Sequence, residues 1–219
     1  MFMDKIQLPI EGKLPTRWEI YYYTLIGNIY YRFRVLRENK NLKGKPIDQK
    51  AEIEIIKDIP GADVTKNTEL MNYISKNDLN KAIIDSTKKG TPLIKLGDGS
   101  KPRVMITAGV HGNELPPQIA ALNLINELDR TNLNGTIYII PFIAPKATAH
   151  NSKLYEGQNL NLVADKPDSP TNIILNLAKD HQIDSLADFH ATNSHPAKDA
   201  VIYFLSVVSS KIAVYVNKK

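Results

Sequence analysis

His111, Glu114 and His190 are the residues of this chain whose types and spacing suit joint chemistry. His111-Gly112-Asn113-Glu114 follows directly on the apolar run from Val104 to Val110, and Asp188-Phe189-His190 closes a second such run. Two imidazoles and a carboxylate are donors that suit zinc, and three protein ligands leave a fourth position free for water. An open position of that kind is what metal-assisted hydrolysis needs. Taken singly, a histidine at a strand end is ordinarily a hydrogen-bonded structural residue, and a glutamate near a helix start merely complements the helix dipole. The three together, with an Asn-rich loop between them, point to a metal site.

The elements that must position these residues can be read from periodicity. Thr91 to Leu96 and Arg103 to Val110 read as strands, and Gly97-Asp98-Gly99 between them predicts a hairpin. Pro116 to Arg130 predicts a helix with Ile119, Leu122, Leu124, Ile125 and Leu128 inward and its prolines in the first turn, where a missing N–H costs little. Further strands are expected over Thr136 to Phe142, Ser185 to Phe189 and Val201 to Leu205. Helices are expected around Glu69 to Ile74 and Leu79 to Asp85, over Thr171 to Asp180, and over Ser209 to Asn217. The irregular stretch from Ala144 to Pro170 is long enough to be either functional or disordered.

Strands interleaved with helices predict an α/β fold, with a mixed, largely parallel sheet covered by helices on both faces. Sites in such sheets gather at the carboxyl ends of strands, where His111 and His190 both fall. Gly109 and Gly112 bracket His111 and permit a tight turn that swings Glu114 back beside it. Upstream, Trp18 to Tyr23, Ile29 to Leu36 and Ala51 to Ile56 alternate aromatic or β-branched residues with polar ones and read as strands. The part from Tyr30 to Ile55 faintly resembles a strand pair of an immunoglobulin-like sandwich, too short to complete one. Pro60-Gly61 is the best boundary. It divides a β-rich N-terminal extension, residues 1–60, from an α/β domain, residues 61–219.

Composition narrows the chemistry further. The chain has 219 residues, 42% of them hydrophobic, enough for one good-sized core. Zero cysteines exclude disulfides and thiolate ligands, so a metal must be held by His, Asp, Glu or carbonyl oxygen. The net charge of +5 comes from dispersed lysines without interleaved aromatics, which argues against nucleic acid. Neither a membrane span nor a signal-peptide core is seen, so a soluble, cytoplasmic protein is the expectation. No GxGxxG, GxxxxGK[ST] or Gly-x-Ser-x-Gly element is present, which leaves nucleotide-binding and serine-hydrolase readings without their motifs. Ser194-His195 lies beside a proline in a loop, with His195 a candidate for the mouth of a pocket; His150 and His181 have no partner pattern.

Ala108 to Glu114, taken with Asp188-Phe189-His190-Ala191-Thr192, resembles the zinc carboxypeptidase superfamily, in particular its succinylglutamate desuccinylase and aspartoacylase branch. The resemblance spans about residues 70 to 219 and includes the approach Ser86 to Leu93. It implies a single zinc ion held by His111, Glu114 and His190, and hydrolysis of an amide in a peptide or N-acyl amino acid by a metal-activated water. Asp188 would orient a ligand from behind. Where the family carries Asp-x-Asn-Arg, with the acid supporting a zinc-bound histidine and the other two gripping a substrate carboxylate, this chain has Asn159-Leu160-Asn161-Leu162. Asn159 and Asn161 are therefore the candidates for substrate binding, without the bidentate clamp a guanidinium provides. Lys153 lies near a family arginine and is a candidate for the substrate or oxyanion, with Arg103 and Lys146 as unranked further cations. The family's general base is a glutamate downstream of the third ligand, and residues 191 to 219 contain none. The resemblance thus carries two expectations: a zinc-dependent amide hydrolase, or a catalytically incomplete zinc- or ligand-binding relative, short at its C-terminal end.

Overall fold

Near-continuous apolar runs give the central strands two buried faces, and both are covered. In the computed structural model, which describes residues 50–131, 133–191, 200–208 and 211–213, seven strands form one sheet in the order β1-β2-β4-β3-β5-β6-β7. These are β1 (Glu52–Ile56), β2 (Thr91–Gly97), β3 (Arg103–Ala108), β4 (Thr136–Ile140), β5 (Ser185–Ala191), β6 (Ala200–Val208) and β7 (Lys211–Ala213). The helices are α1 (Thr68–Met71), α2 (Asp78–Ser86), α3 (Leu115–Leu128), α4 (Pro145–Ala149) and α5 (Pro170–Asp180).

Ile94, Leu96, Val104, Ile106, Ile137 and Ile139 face one way and pack with Ile83 of α2 and Leu122 and Ile125 of α3. Leu93, Met105, Tyr138, Ile140 and Leu186 face the other and pack with Ile174 and Ala178 of α5. The expected α/β architecture with helices on both faces is present. Its parallel part is confined to the centre: β3 is parallel to β4 and β5, while the remaining pairings are antiparallel.

Two local expectations are corrected. β2 and β3 do not form a hairpin, because β4 inserts between them and pairs with both. The turn crosses the start of β4, where Thr136 donates from its N–H to Pro102 O (3.0 Å) and from its hydroxyl to Ser100 O (2.9 Å). At the chain's end, Lys211–Ala213 pairs with β6 as a strand, so the helix expected from Ser209 does not form there. β1, grouped by sequence with the N-terminal extension, pairs with β2 in the main sheet. The strand readings upstream of residue 50, and Ser194 and His195, lie outside the described residues.

The stretch from 144 to 170 is ordered although little of it is regular. Buried Tyr155, Leu160 and Val163 anchor it in the second core. Side chains tie it to α5: Ser169 donates to Val163 O (2.7 Å), Thr171 to Leu160 O (2.9 Å) and Asn172 to Ala164 O (3.0 Å). This loop, the end of β3 and the end of β5 surround the candidate residues.

Candidate metal centre

The chain leaves β3 through Gly109, whose φ of +76° is a conformation that disfavours any side chain. Gly112 serves a different need, since a Cβ there would lie 2.1 Å from the carbonyl carbon of Ala147. The turn therefore packs directly on α4, and Gly112 N–H donates to Ser152 O (2.8 Å). Glu114 is the N-cap of α3, yet its side chain makes no capping bond. Pro116 and Pro117 remove donors that a cap would otherwise satisfy, and the carboxylate is turned instead towards the histidines.

His111, Glu114 and His190 are all buried, and one ligand atom from each lies within 4.8 Å of the other two. The Glu114 carboxylate bridges the rings, with Oε1 2.7 Å from His111 Nδ1 and Oε2 3.0 Å from His190 Nδ1. Ala191 N–H also donates to Oε2 (2.8 Å). The rings meet edge to face with centroids 5.1 Å apart. On their outer sides, His111 Nε2 lies 2.9 Å from Asn159 Oδ1 and His190 Nε2 lies 2.8 Å from Asp188 Oδ2. Asp188 is held in turn by the Thr107 hydroxyl, which donates to Oδ1 (2.8 Å) across the β3–β5 pairing.

The partners of the ring nitrogens set the charge the centre can hold. Asn159 Oδ1 also accepts the backbone N–H of Asn161 (3.1 Å), which identifies that atom as the oxygen. All four atoms facing the ring nitrogens are then acceptors, whereas a neutral imidazole carries one N–H. Two neutral rings fall two positive charges short. Two extra protons supply that deficit, or one divalent cation among Glu114 and the two Nδ1 atoms. Without a metal, part of it is met by protonation. Burial pushes the His190 imidazole down, but the Asp188 charge, its hydrogen bond and the Glu114 carboxylate outweigh this and raise it to about 10. Burial likewise pushes Glu114 up, and the bonds from His111 and His190, the His190 charge and the Ala191 N–H overcome it and hold the carboxyl at about 2. Histidine and carboxylate donors, with the outer nitrogens already engaged, are compatible with a metal ion. The carboxamide oxygen of Asn113, between the two candidates in sequence, is buried without a hydrogen-bond partner.

Of the other sequence candidates, Asn159 lies against His111 while Asn161 presents an exposed side chain one residue into the 3-10 turn Leu160–Leu162. Lys153 is half-buried beside Ser152, whose carbonyl holds Gly112. Arg103 is at the opposite end of β3 and donates to Gly99 O and His181 O. Lys146 pairs with Glu156 at 2.8 Å. His150 bonds Lys146 O, and the His181 ring packs at a tilt of 55° against Tyr138. Sequence reasoning missed Gln118 and Thr148, both fully buried behind the ligand turn, and Thr107.

Residues 100–204 match the family model of the succinylglutamate desuccinylase/aspartoacylase catalytic domain. No curated protein matches the chain. Similar solved structures include an aspartoacylase family protein from Mesorhizobium loti (23% identity, TM-score 0.44, covering 68% of this chain and 43% of that one). A succinylglutamate desuccinylase from a Silicibacter species shares 17% identity (TM-score 0.46, 68% and 42% covered). A metallo-carboxypeptidase from Burkholderia cenocepacia shares 14% (TM-score 0.39, 80% and 41% covered). This chain thus spans less than half the length of these proteins. The segment that resembles this catalytic-domain family, residues 100–204, contains His111, Glu114 and His190.

Proposed function

We propose that this chain is a zinc-dependent amide hydrolase of metallocarboxypeptidase or N-acyl amino acid deacylase type, with His111, Glu114 and His190 as the ligands of one zinc ion. The observation that carries this reading is the Glu114 carboxylate set between two imidazole Nδ1 atoms while both Nε2 atoms already face acceptors. When bound, zinc supplies Lewis acidity, polarising a substrate carbonyl and lowering the pKa of a coordinated water from 15.7 to about 7.

The protein's own groups prepare the site. Asn159 fixes the proton of His111 on Nε2, and Asp188 fixes that of His190 on its Nε2, which leaves each Nδ1 lone pair for the metal. Thr107 keeps Asp188 in place, and Ala191 N–H holds one Glu114 oxygen. In this reading Asn161, two residues beyond Asn159, would hydrogen-bond a polar substrate group, and Lys153 would supply a positive charge. The substrate is a small molecule or a peptide carrying an amide. Neither nucleic acid nor a membrane enters this reading. Among the described residues no helix is long and apolar enough to cross a membrane.

The test is hydrolysis by the zinc-loaded protein of N-acyl amino acids beside peptides with a free C-terminus. Turnover that is lost with chelator and restored by zinc supports the reading, and the preferred substrate separates deacylase from carboxypeptidase. Stoichiometric zinc binding without turnover of either class supports instead a zinc- or ligand-binding module.

A further inference from the structure

We propose that Gln118, held by Thr148, is a positioning residue for the metal ligands. The inference rests on the metal reading above. Gln118 lies four residues beyond Glu114, on the buried stripe of α3 between Leu115 and Ala121, Leu122 and Ile125, and its side chain has no exposure. An amide in such a place costs free energy unless its donors and acceptor are met. Here they are met by the ligand turn itself. Nε2 donates to Glu114 O (2.9 Å) and Gly112 O (3.1 Å), with His111 O a more distant acceptor at 3.4 Å.

On its other side, Gln118 Oε1 accepts the Thr148 hydroxyl at 3.1 Å. Thr148 is fully buried in α4, the helix on which Gly112 packs, and its carbonyl accepts Asn67 Nδ2 at 2.9 Å. One side-chain amide thereby gathers three carbonyls of the His111–Glu114 segment and ties them to a separate helix. An apolar residue would fill the same space but would leave those inward carbonyls without this donor. The distinctive consequence is fixed backbone between two metal ligands, whose side chains then meet at 2.7 Å.

The experiment uses Gln118→Met and Thr148→Val, which keep approximate volume while removing the amide or the hydroxyl, with Thr148→Ser as the variant that restores the donor. Zinc affinity is measured by chelator competition, the visible spectrum is recorded with cobalt in place of zinc, and urea unfolding of the metal-free protein is followed in parallel. The expected result is zinc binding 10- to 100-fold weaker in Gln118→Met and Thr148→Val with an altered cobalt spectrum, and affinity near the unmutated value in Thr148→Ser. Thr148→Val keeps the test open if Gln118→Met does not fold. Reduced stability with zinc affinity within about twofold and an unchanged cobalt spectrum would overturn the proposal, because the pair would then serve the core alone. Failure of the unmutated chain to bind zinc would overturn it together with the metal reading, and shows in the parent rather than in the variants.

Discussion

Asn159 Oδ1 lies 2.9 Å from His111 Nε2 and accepts at the same time the N–H of Asn161. One carboxamide oxygen thus closes a 3-10 turn in the long loop and fixes the tautomer of a histidine 48 residues away. Asn159→Leu removes that acceptor and lets the His111 proton move to the metal-facing nitrogen, so zinc affinity should fall by about 10- to 100-fold. Asn159→Asp keeps an acceptor and should stay close to the parent. Chelator competition measures both, and equal affinity in all three proteins would remove Asn159 from the site.

Among the described residues Glu114 is the sole carboxylate set between the two rings, and with a charged His190 it forms a buried pair. Glu114→Gln leaves that imidazolium with Asp188 but without its second partner. Breaking a buried pair costs several kcal/mol, and a loss of about 3 kcal/mol is expected because the amide keeps one acceptor. Urea unfolding in the presence of chelator reads this, and a change under about 1 kcal/mol would contradict the assigned pairing.

The stability of the metal-free protein should depend on pH at both ends. His190 is raised from 6.5 to about 10, so its contribution is complete below pH 6.5 and is lost as pH rises through about 10. Glu114 is lowered from 4.5 to about 2, so its contribution is present above pH 4.5 and is lost as pH falls through about 2. These two groups together favour the fold most between pH 4.5 and 6.5. Zinc competes for the His190 proton, so its affinity should rise with pH and binding should release protons. Calorimetry in buffers of different ionisation enthalpy measures that release; binding with no proton release at pH 7 would contradict the charged state assigned to His190.

Two glycines separate a steric from a conformational requirement. Gly112→Ala puts a methyl 2.1 Å from backbone of Ala147, so the ligand turn or the helix beneath it must shift. A loss of about 3 kcal/mol or more and a large fall in zinc binding are expected, since overpacking into backbone exceeds ordinary core strain. Gly99→Ala meets nothing within 4 Å, so only its φ of +87° is penalised, at about 1–2 kcal/mol, with zinc affinity unchanged. Thermal unfolding and zinc titration of the two variants make the comparison, and equal effects on zinc would contradict the packing described.

How much of this was legible in the sequence differs between elements. The ligand turn and His190 were readable because strand periodicity, glycine spacing and metal-donor residue types are local features. The β2–β3 hairpin was misread because Gly97-Asp98-Gly99 gives a turn but says nothing of the strand that enters beside it; only the Thr136 bonds to Ser100 and Pro102 carry that information. The inward face of α3 was read from its leucines and isoleucines, whereas Gln118 belongs to it and Ile119 and Leu124 lie at its margin. Polar residues on a buried stripe are invisible to hydrophobic periodicity. Resemblance alone points to Asn159, and its contact with His111 depends on how the long loop folds back. The strand at Lys211–Ala213 gains its conformation from pairing with β6, which local propensity does not reveal.

Metal analysis of the purified, dialysed chain, before and after zinc is supplied, beside His111→Ala and His190→Ala, decides whether the buried trio is a metal centre. Close to one zinc per unmutated chain is expected after supply, with loss of that zinc in both variants while their secondary structure persists. An unmutated chain that takes up no zinc, or variants that retain it in full, would contradict the assignment of His111, Glu114 and His190.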